Sequence, residues 1–281
     1  MIGSSTRKDE ALDRLSRGIA QLTSSDAWHT WLHMQARFHQ YSFANTVLIL
    51  CQCPTASRVA GFHTWRRLGR QVRRGEHAIW ILAPVTRRVD ADDDSEQSTR
   101  VVAGFRPVPV FDLAQTEGDP LPELCARLAG DDPRGAYAGL VQVASLLGFT
   151  VEDHTFAGET NGDCSHALRR IRVEVNLEPA HRVKTLCHEL AHALLHEDSD
   201  AERGLKELEA ESVAFIVCDA LGLDAGAWSF GYVAGWAGGG EQALAAIKAT
   251  GARIQRTADQ ILSALDRAGE APAEQGGADD T

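Results

Sequence analysis

Residues 179–196 read PAHRVKTLCHELAHALLH. Val183, Leu186, Leu190 and Leu194 recur at intervals of three and four, which predicts a helix from about Pro179 to His196 with one apolar face. Inside it, His188-Glu189-Leu190-Ala191-His192 is an H-E-x-x-H pattern. Residues four apart share a helix face, so both imidazoles can reach one metal ion, with Glu189 one step round beside a water on that ion. Zinc brings the pKa of such a water to about 7, and Glu189 is the candidate catalytic base that takes its proton while the metal polarises a carbonyl.

Two imidazoles leave a catalytic zinc one protein ligand short. The next predicted helix, Leu205 to Leu221, contains KELEAES, with Glu207, Glu209 and Glu211. Glu207 and Glu211 share a face, whereas Glu209 points about 200 degrees away at 100 degrees per residue, so only one of these faces can meet the histidine pair. Before the motif helix, Arg170 to Leu177 alternates strictly: Ile171, Val173, Val175 and Leu177 on one face, Arg170, Arg172, Glu174 and Asn176 on the other. That pattern predicts an edge strand with a charged outer side. His196 reads as a partly exposed helix-end residue, with a group behind a ligand or an alternative ligand as the other readings, and His154 and His166 precede the strand with nothing to locate them over a metal.

In these features the chain resembles the gluzincin metallopeptidases of the ImmA/IrrE-like group, in which H-E-x-x-H is followed by a helix of the form E-x-x-A-(D/N/E), here Glu207, Ala210 and Glu211. The resemblance implies Zn2+ held by His188, His192 and Glu207, with Glu211 orienting a ligand histidine; Glu209 is the competing third ligand. It also implies an antiparallel edge strand beside the cleft that holds extended substrate, a part matched by Arg170 to Leu177.

Towards the N-terminus, Leu12, Leu15, Ile19 and Leu22 predict a first helix. Trp28, Trp31, Leu32 and Phe38 predict a second, after the capping cluster Ser24, Ser25 and Asp26. Phe43 to Cys51 reads as a third and Val59 to Leu68 as a fourth. His77 to Val85 and Val101 to Phe111 read as a hairpin around a mobile acidic loop, residues 88–100. Composition turns to Gly, Pro and acid at TEGDPLP (116–122), which marks a domain boundary. Behind it come a helix from Tyr137 to Leu147, a strand from Phe149 to Phe156, and a last helix, Glu241 to Leu265, whose apolar stripe is interrupted by Gly251.

The charge divides the same way. Residues 1–85 carry 11 Lys+Arg against 5 Asp+Glu, residues 86–120 carry 4 against 8 and residues 121–281 carry 13 against 26, so the net −11 conceals a basic front joined to an acidic back. Arg66, Arg67, Arg70, Arg73 and Arg74 crowd around Trp65, the composition of a single-strand groove with guanidinium on phosphate and ring on base. Tyr41-Ser42-Phe43-Ala44-Asn45, Phe62-His63-Thr64-Trp65, Val72-Arg73-Arg74-Gly75-Glu76, Val110-Phe111-Asp112 and Gln115-Thr116 are together similar to the N-terminal domain of ArdC-like antirestriction proteins. That resemblance implies single-stranded-DNA binding at the front and a metallopeptidase behind it.

The expectation is therefore an α+β protein. Residues 1–120 form a helical and β-hairpin DNA-binding domain, residues 121–268 a zincin-like metallopeptidase domain acting on an unidentified protein substrate, and residues 269–281 a disordered tail. The alternatives are a regulatory protease that cleaves a repressor, and a DNA-binding protein with a structural metal. No apolar run approaches the roughly 20 residues of a membrane span, and the expected location is the cytoplasm. Six scattered cysteines argue against a disulfide framework, with Cys51 and Cys53 read as buried free thiols.

Overall fold

Serine side chains start two of the first helices. In the computed structural model, which describes residues 4–89, 99–121, 135–223 and 240–270, α1 (Ser4–Gln21) is followed by α2 (Ser25–Arg37) and α3 (Phe43–Gln52). Ser24 Oγ accepts the Ala27 amide at 3.2 Å and Ser42 Oγ the Asn45 amide at 3.4 Å, each satisfying a donor that the helix leaves open. Their apolar faces meet the root of a long antiparallel hairpin, β3 (Ile79–Val89) and β4 (Thr99–Asp112), in a core of Met34, Phe38, Ile49, Val59, Ile79, Ile81 and Val110. The acidic stretch 90–98 lies outside the described residues; residues 88–89 and 99–100, assigned to the loop from composition, belong to the strands.

The single helix expected over Val59 to Leu68 is instead β1 (Val59–Ala60) followed by α4 (Phe62–Arg67). Val59 and Ala60 pair with Asp112 and Phe111 on β4, and Gly61 turns the chain into α4. Asp112 holds this corner, its Oδ1 accepting the Ser57 and Arg58 amides at 2.8 and 3.0 Å. Two side chains of α3 mimic a neighbouring strand along β3. Asn45 exchanges both hydrogen bonds with Leu82 (2.9 and 3.0 Å), and Gln52 does the same with Trp80 (2.9 and 3.0 Å), occupying backbone groups that an open edge would expose. A short ladder of β2 (Arg70–Val72) with β5 (Thr116–Gly118) completes the strands of this unit.

The chain divides into two compact units, Met1–Ala126 with Gly231–Ala252, and Arg127–Phe230 with Arg253–Thr281. The second is built on α5 (Ala136–Leu146), a three-stranded sheet of β6 (Thr150–His154), β7 (Gly162–Ser165) and β8 (Arg170–Glu174), and the helices α6 (Pro179–Leu195) and α7 (Arg203–Ala220). Strand order is β6-β8-β7, with β8 parallel to β6 and antiparallel to β7. The alternating strand is therefore central, not an edge as expected, and it ends at Glu174. Its apolar face, Ile171 and Val173, is fully buried. Its charged face points not to water alone but to neighbouring strands, Arg172 bonding Asp163 on β7 and Arg170 lying 3.7 Å from Glu152 on β6.

The last helix, α8 (Gly240–Glu270), passes from the first unit to the second in sequence. Gly251 is explained by Phe43, whose ring lies so close that a Cβ there would sit 2.3 Å from Cε2. Residues 271–281, most of the expected tail, lie outside the described residues, as does Cys125. The five described cysteines are free; Cys187 and Cys218 are buried, but Cys51 is exposed and Cys53 partly so, contrary to the expectation of buried thiols.

Candidate metal centre

α6 buries Val183, Leu186, Cys187 and Leu190 completely, and this fixes the rotation of the helix. His188 and His192 then fall together on its border with α7, ring centroids 4.7 Å apart and Nε2 atoms 3.0 Å apart. Two nitrogens bound to one tetrahedral ion at 2.0–2.1 Å would stand about 3.3 Å apart. A Glu207 oxygen lies 3.3 Å from His188 Nε2 and 3.8 Å from His192 Nε2, and one ligand atom from each of the three lies within 4.8 Å of the others.

The opposite ring nitrogens are already engaged. His188 Nδ1 is 3.2 Å from Glu211 Oε2, whose other oxygen is 3.1 Å from Lys184 Nζ. His192 Nδ1 is 2.8 Å from His196 Nδ1. Both Nε2 atoms thus converge on one point with their partner nitrogens satisfied, the arrangement that a divalent ion fits. Without an ion the point is strongly polarised. Burial opposes charge on His188, but hydrogen bonds to Glu207 and Glu211 outweigh it and lift its pKa to about 9, while the same histidines hold the Glu207 carboxyl far below the usual range.

Glu189 faces a cavity of about 710 Å³ that the three candidate ligands also line, together with Gly162, Cys164 and His166. It is 8% exposed, and burial raises its pKa against the opposing pull of His188 and His192. Beside it runs β7, the antiparallel edge of the sheet, whose Gly-Asp-Cys-Ser has no apolar alternation to mark a strand. Gly162 is the residue that sequence reasoning missed. A Cβ there would lie 2.6 Å from Thr185 Cγ2 and 3.1 Å from Glu189 Cγ, so only glycine lets the strand lie against α6 at this point. Cys164 borders the cavity as a thiol, its pKa pushed to about 12 by burial and then by the Glu189 charge, which leaves it a poor nucleophile.

Two expectations change here. His196 is 7% exposed, not a partly exposed helix end, and its Nε2 lies 3.1 Å from Glu209 Oε2. Glu209, 2% exposed, faces His196 and Arg253 and not the converging Nε2 atoms, so the two faces of KELEAES serve different histidines. His166 Nε2 is 3.1 Å from the His192 carbonyl oxygen, while His154 pairs with Arg172, whose Nη1 is 3.4 Å from its Nε2.

The arginine cluster of the first unit is not one surface. Trp65 is fully buried, its indole N–H donating to the Phe111 carbonyl at 2.9 Å; this corrects its reading as a base-stacking platform. Arg70 is spent on Thr116 and the Gly118 and Asp119 carbonyls, and Arg73 on Glu76 (2.8 Å) and the Ala114 carbonyl. Arg66, Arg67 and Arg74 are exposed.

A histidine pair one turn apart on a helix, a carboxylate from the following helix and a small sheet ending in an antiparallel edge strand define a zincin-like fold. Residues 143–218 match the IrrE N-terminal-like domain of the M78 peptidases, and residues 9–111 match the N-terminal domain of anti-restriction factor ArdC. The metal-free crystal structure of the antirestriction ArdC protein from the R388 plasmid is similar over 81% of this chain and 86% of that one, with a TM-score of 0.51 and 19% identity. Its Mn(II)-bound crystal structure gives a TM-score of 0.49 and 19% identity over 83% and 86%. An uncharacterized protein of Bacillus anthracis is 24% identical over 277 residues, 84% of this chain and 47% of that protein, so the chain spans about half the length of this curated relative. The chain has an ArdC-like fold, an ArdC N-terminal domain followed by an M78 domain.

Proposed function

We propose that this protein is a metal-dependent peptidase, with zinc as the ion its ligands suit, joined to a single-stranded-DNA-binding module in an antirestriction or mobile-element role. The observation that carries the reading is the convergence of His188, His192 and Glu207 within 4.8 Å, with Glu189 buried beside them. Two imidazoles and a carboxylate are a catalytic zinc set, which leaves one position for water or substrate. Held there, zinc would supply Lewis-acid chemistry, easing deprotonation of water and polarising a peptide carbonyl.

Glu189 is the base: its carboxylate takes a proton from the attacking water and delivers it to the leaving amine nitrogen. Burial raises its proton affinity towards the working pH, as that exchange requires. β7 offers an outer edge with no strand on it among the described residues, where an extended peptide can pair by β-addition. For the DNA module, support comes from the ArdC N-terminal match and the exposed Arg66, Arg67 and Arg74, which suit phosphate.

Metal analysis with peptidase assay tests the reading. We expect about one equivalent of zinc in purified protein, lost on replacing both His188 and His192 by alanine. Glu189→Gln should keep the zinc and lose about 100- to 10,000-fold in hydrolysis of a cleaved protein. Zinc that survives the double histidine replacement, or hydrolysis undiminished in Glu189→Gln, would overturn it.

A further inference from the structure

Behind His192 lies a chain of groups, buried at its middle, that the peptidase reading does not use. Arg253 donates through Nε (2.9 Å) and Nη2 to Glu209 Oε1; Glu209 Oε2 is 3.1 Å from His196 Nε2; His196 Nδ1 is 2.8 Å from His192 Nδ1. The side chains of His196 and Glu209 are 4% and 2% exposed, so water cannot stand in for any partner along the middle of the chain.

With the carboxylate ionised and both imidazoles neutral, the proton positions follow by elimination from the Arg253 end. A guanidinium only donates, and an ionised carboxylate only accepts. Glu209 Oε2 therefore needs a donor, and His196 Nε2–H is the one that faces it. A neutral imidazole carries its single proton on one nitrogen, so His196 Nδ1 is an acceptor. The nitrogen opposite, His192 Nδ1, must then be the donor. Neutral His192 in that tautomer has a bare Nε2, the atom that faces His188 and Glu207.

We infer that His196, locked by Glu209 and Arg253, is a positioning residue that fixes His192 in the Nδ1–H tautomer and so presents Nε2 as a metal ligand. The inference rests on the metal-site reading above and names how this site is kept ready. It also accounts for the two acidic faces of α7: Glu211 engages Nδ1 of His188 directly, whereas Glu209 stands one imidazole further back and needs His196 as the intermediary. A histidine held in this way cannot rotate or shift its proton to Nε2 without leaving either His196 Nδ1 or, if His196 changes tautomer in response, Glu209 Oε2 unsatisfied in a buried place.

Two measurements on the full chain test it. Long-range nitrogen–proton NMR of metal-free wild type should place the His192 proton on Nδ1. Competition against a chelator should give a zinc Kd raised about 10- to 100-fold in His196→Ala, with partial recovery in His196→Asn, whose amide oxygen can accept the same proton. A His192 proton found on Nε2 in wild type, or a Kd equal to wild type in a folded His196→Ala, would overturn the inference. If His196→Ala fails to fold, the wild-type tautomer and His196→Asn still decide. If wild type binds no zinc, the metal reading falls by itself, while the tautomer measurement separately upholds or overturns the clamp.

Discussion

Three glutamates two residues apart on α7 have three fates. Glu207, half exposed, reaches the converging Nε2 atoms; Glu211 takes the far side of His188; Glu209 is buried against Arg253 and His196. Glu207→Ala should therefore weaken zinc retention by more than the roughly 100-fold typical of an outer partner, measured by chelator competition. Glu209→Gln keeps the shape but discards the charge facing Arg253, and should lower the melting temperature by roughly 4–8 °C for a cost of about 2 kcal/mol. A stronger zinc defect in Glu209→Gln than in Glu207→Ala would show that the face assignment is inverted. The His188 pKa of about 9 in the metal-free protein also sets a pH dependence. Zinc must displace that proton, so apparent affinity should rise by up to about tenfold per pH unit below about pH 9 and then level. The folding linkage runs oppositely. Because this pKa is raised above the ordinary 6.5, the stabilisation from protonated His188 is complete below about pH 6.5 and is lost as pH rises through about 9. Affinity that is flat from pH 6.5 to 9 would exclude a protonated His188 in the metal-free site.

At the scale of elements, the antiparallel edge expected of β8 is supplied by β7. β8 alternates cleanly because one face lies on the core, but alternation says nothing about how many neighbours a strand has. Parallel β6 and antiparallel β7 take both of its sides. β7 has almost no apolar signal, since its glycine exists to let it approach α6. Gly162→Val should therefore cost about 1–3 kcal/mol through overpacking and should suppress hydrolysis while zinc content stays near one equivalent, because none of the candidate ligands lies on β7. Unchanged cleavage in that variant would remove the strand from the substrate path. In the first unit, Asn45→Ala would strip the Leu82 amide and carbonyl of their partners. A loss of about 2 kcal/mol is expected in denaturant melts, and an unchanged midpoint would mean that water replaces the amide.

Over the whole molecule the net basic charge is confined to residues 1–85, while residues 86–120 and 121–281 are both net acidic. If the front carries DNA, reversing exposed Arg66, Arg67 and Arg74 should reduce the salt slope of oligonucleotide binding by about 0.7 per contact and leave zinc untouched. Reversing Arg70 should instead damage folding, since its guanidinium ties β2 to the end of β5. Equal, purely electrostatic effects at Arg66 and Arg70 would contradict the division that the hydrogen bonds draw. Among the described residues no helix is long and apolar enough to cross a membrane.

The α+β class, the motif helix with its paired histidines and Glu189, and the hairpin were legible in the residues themselves, because helical and strand periods are local and H-E-x-x-H lies within one and a half turns of helix. Trp65 shows the limit of that reading. Its flanking arginines suggest a binding face, yet the indole finds its partner 46 residues away on β4. The same holds for Arg70, Glu209, His196 and the edge strand. Each role depends on which nonlocal group fills the space opposite, and no spacing along the chain encodes that. The sequence by itself determined what chemistry the chain can hold, since ligand type and periodicity are properties of neighbours in order. Only the tertiary structure decided which carboxylate faces the paired nitrogens, which histidine is locked behind them and which strand is left open, because these follow from how separately formed elements pack.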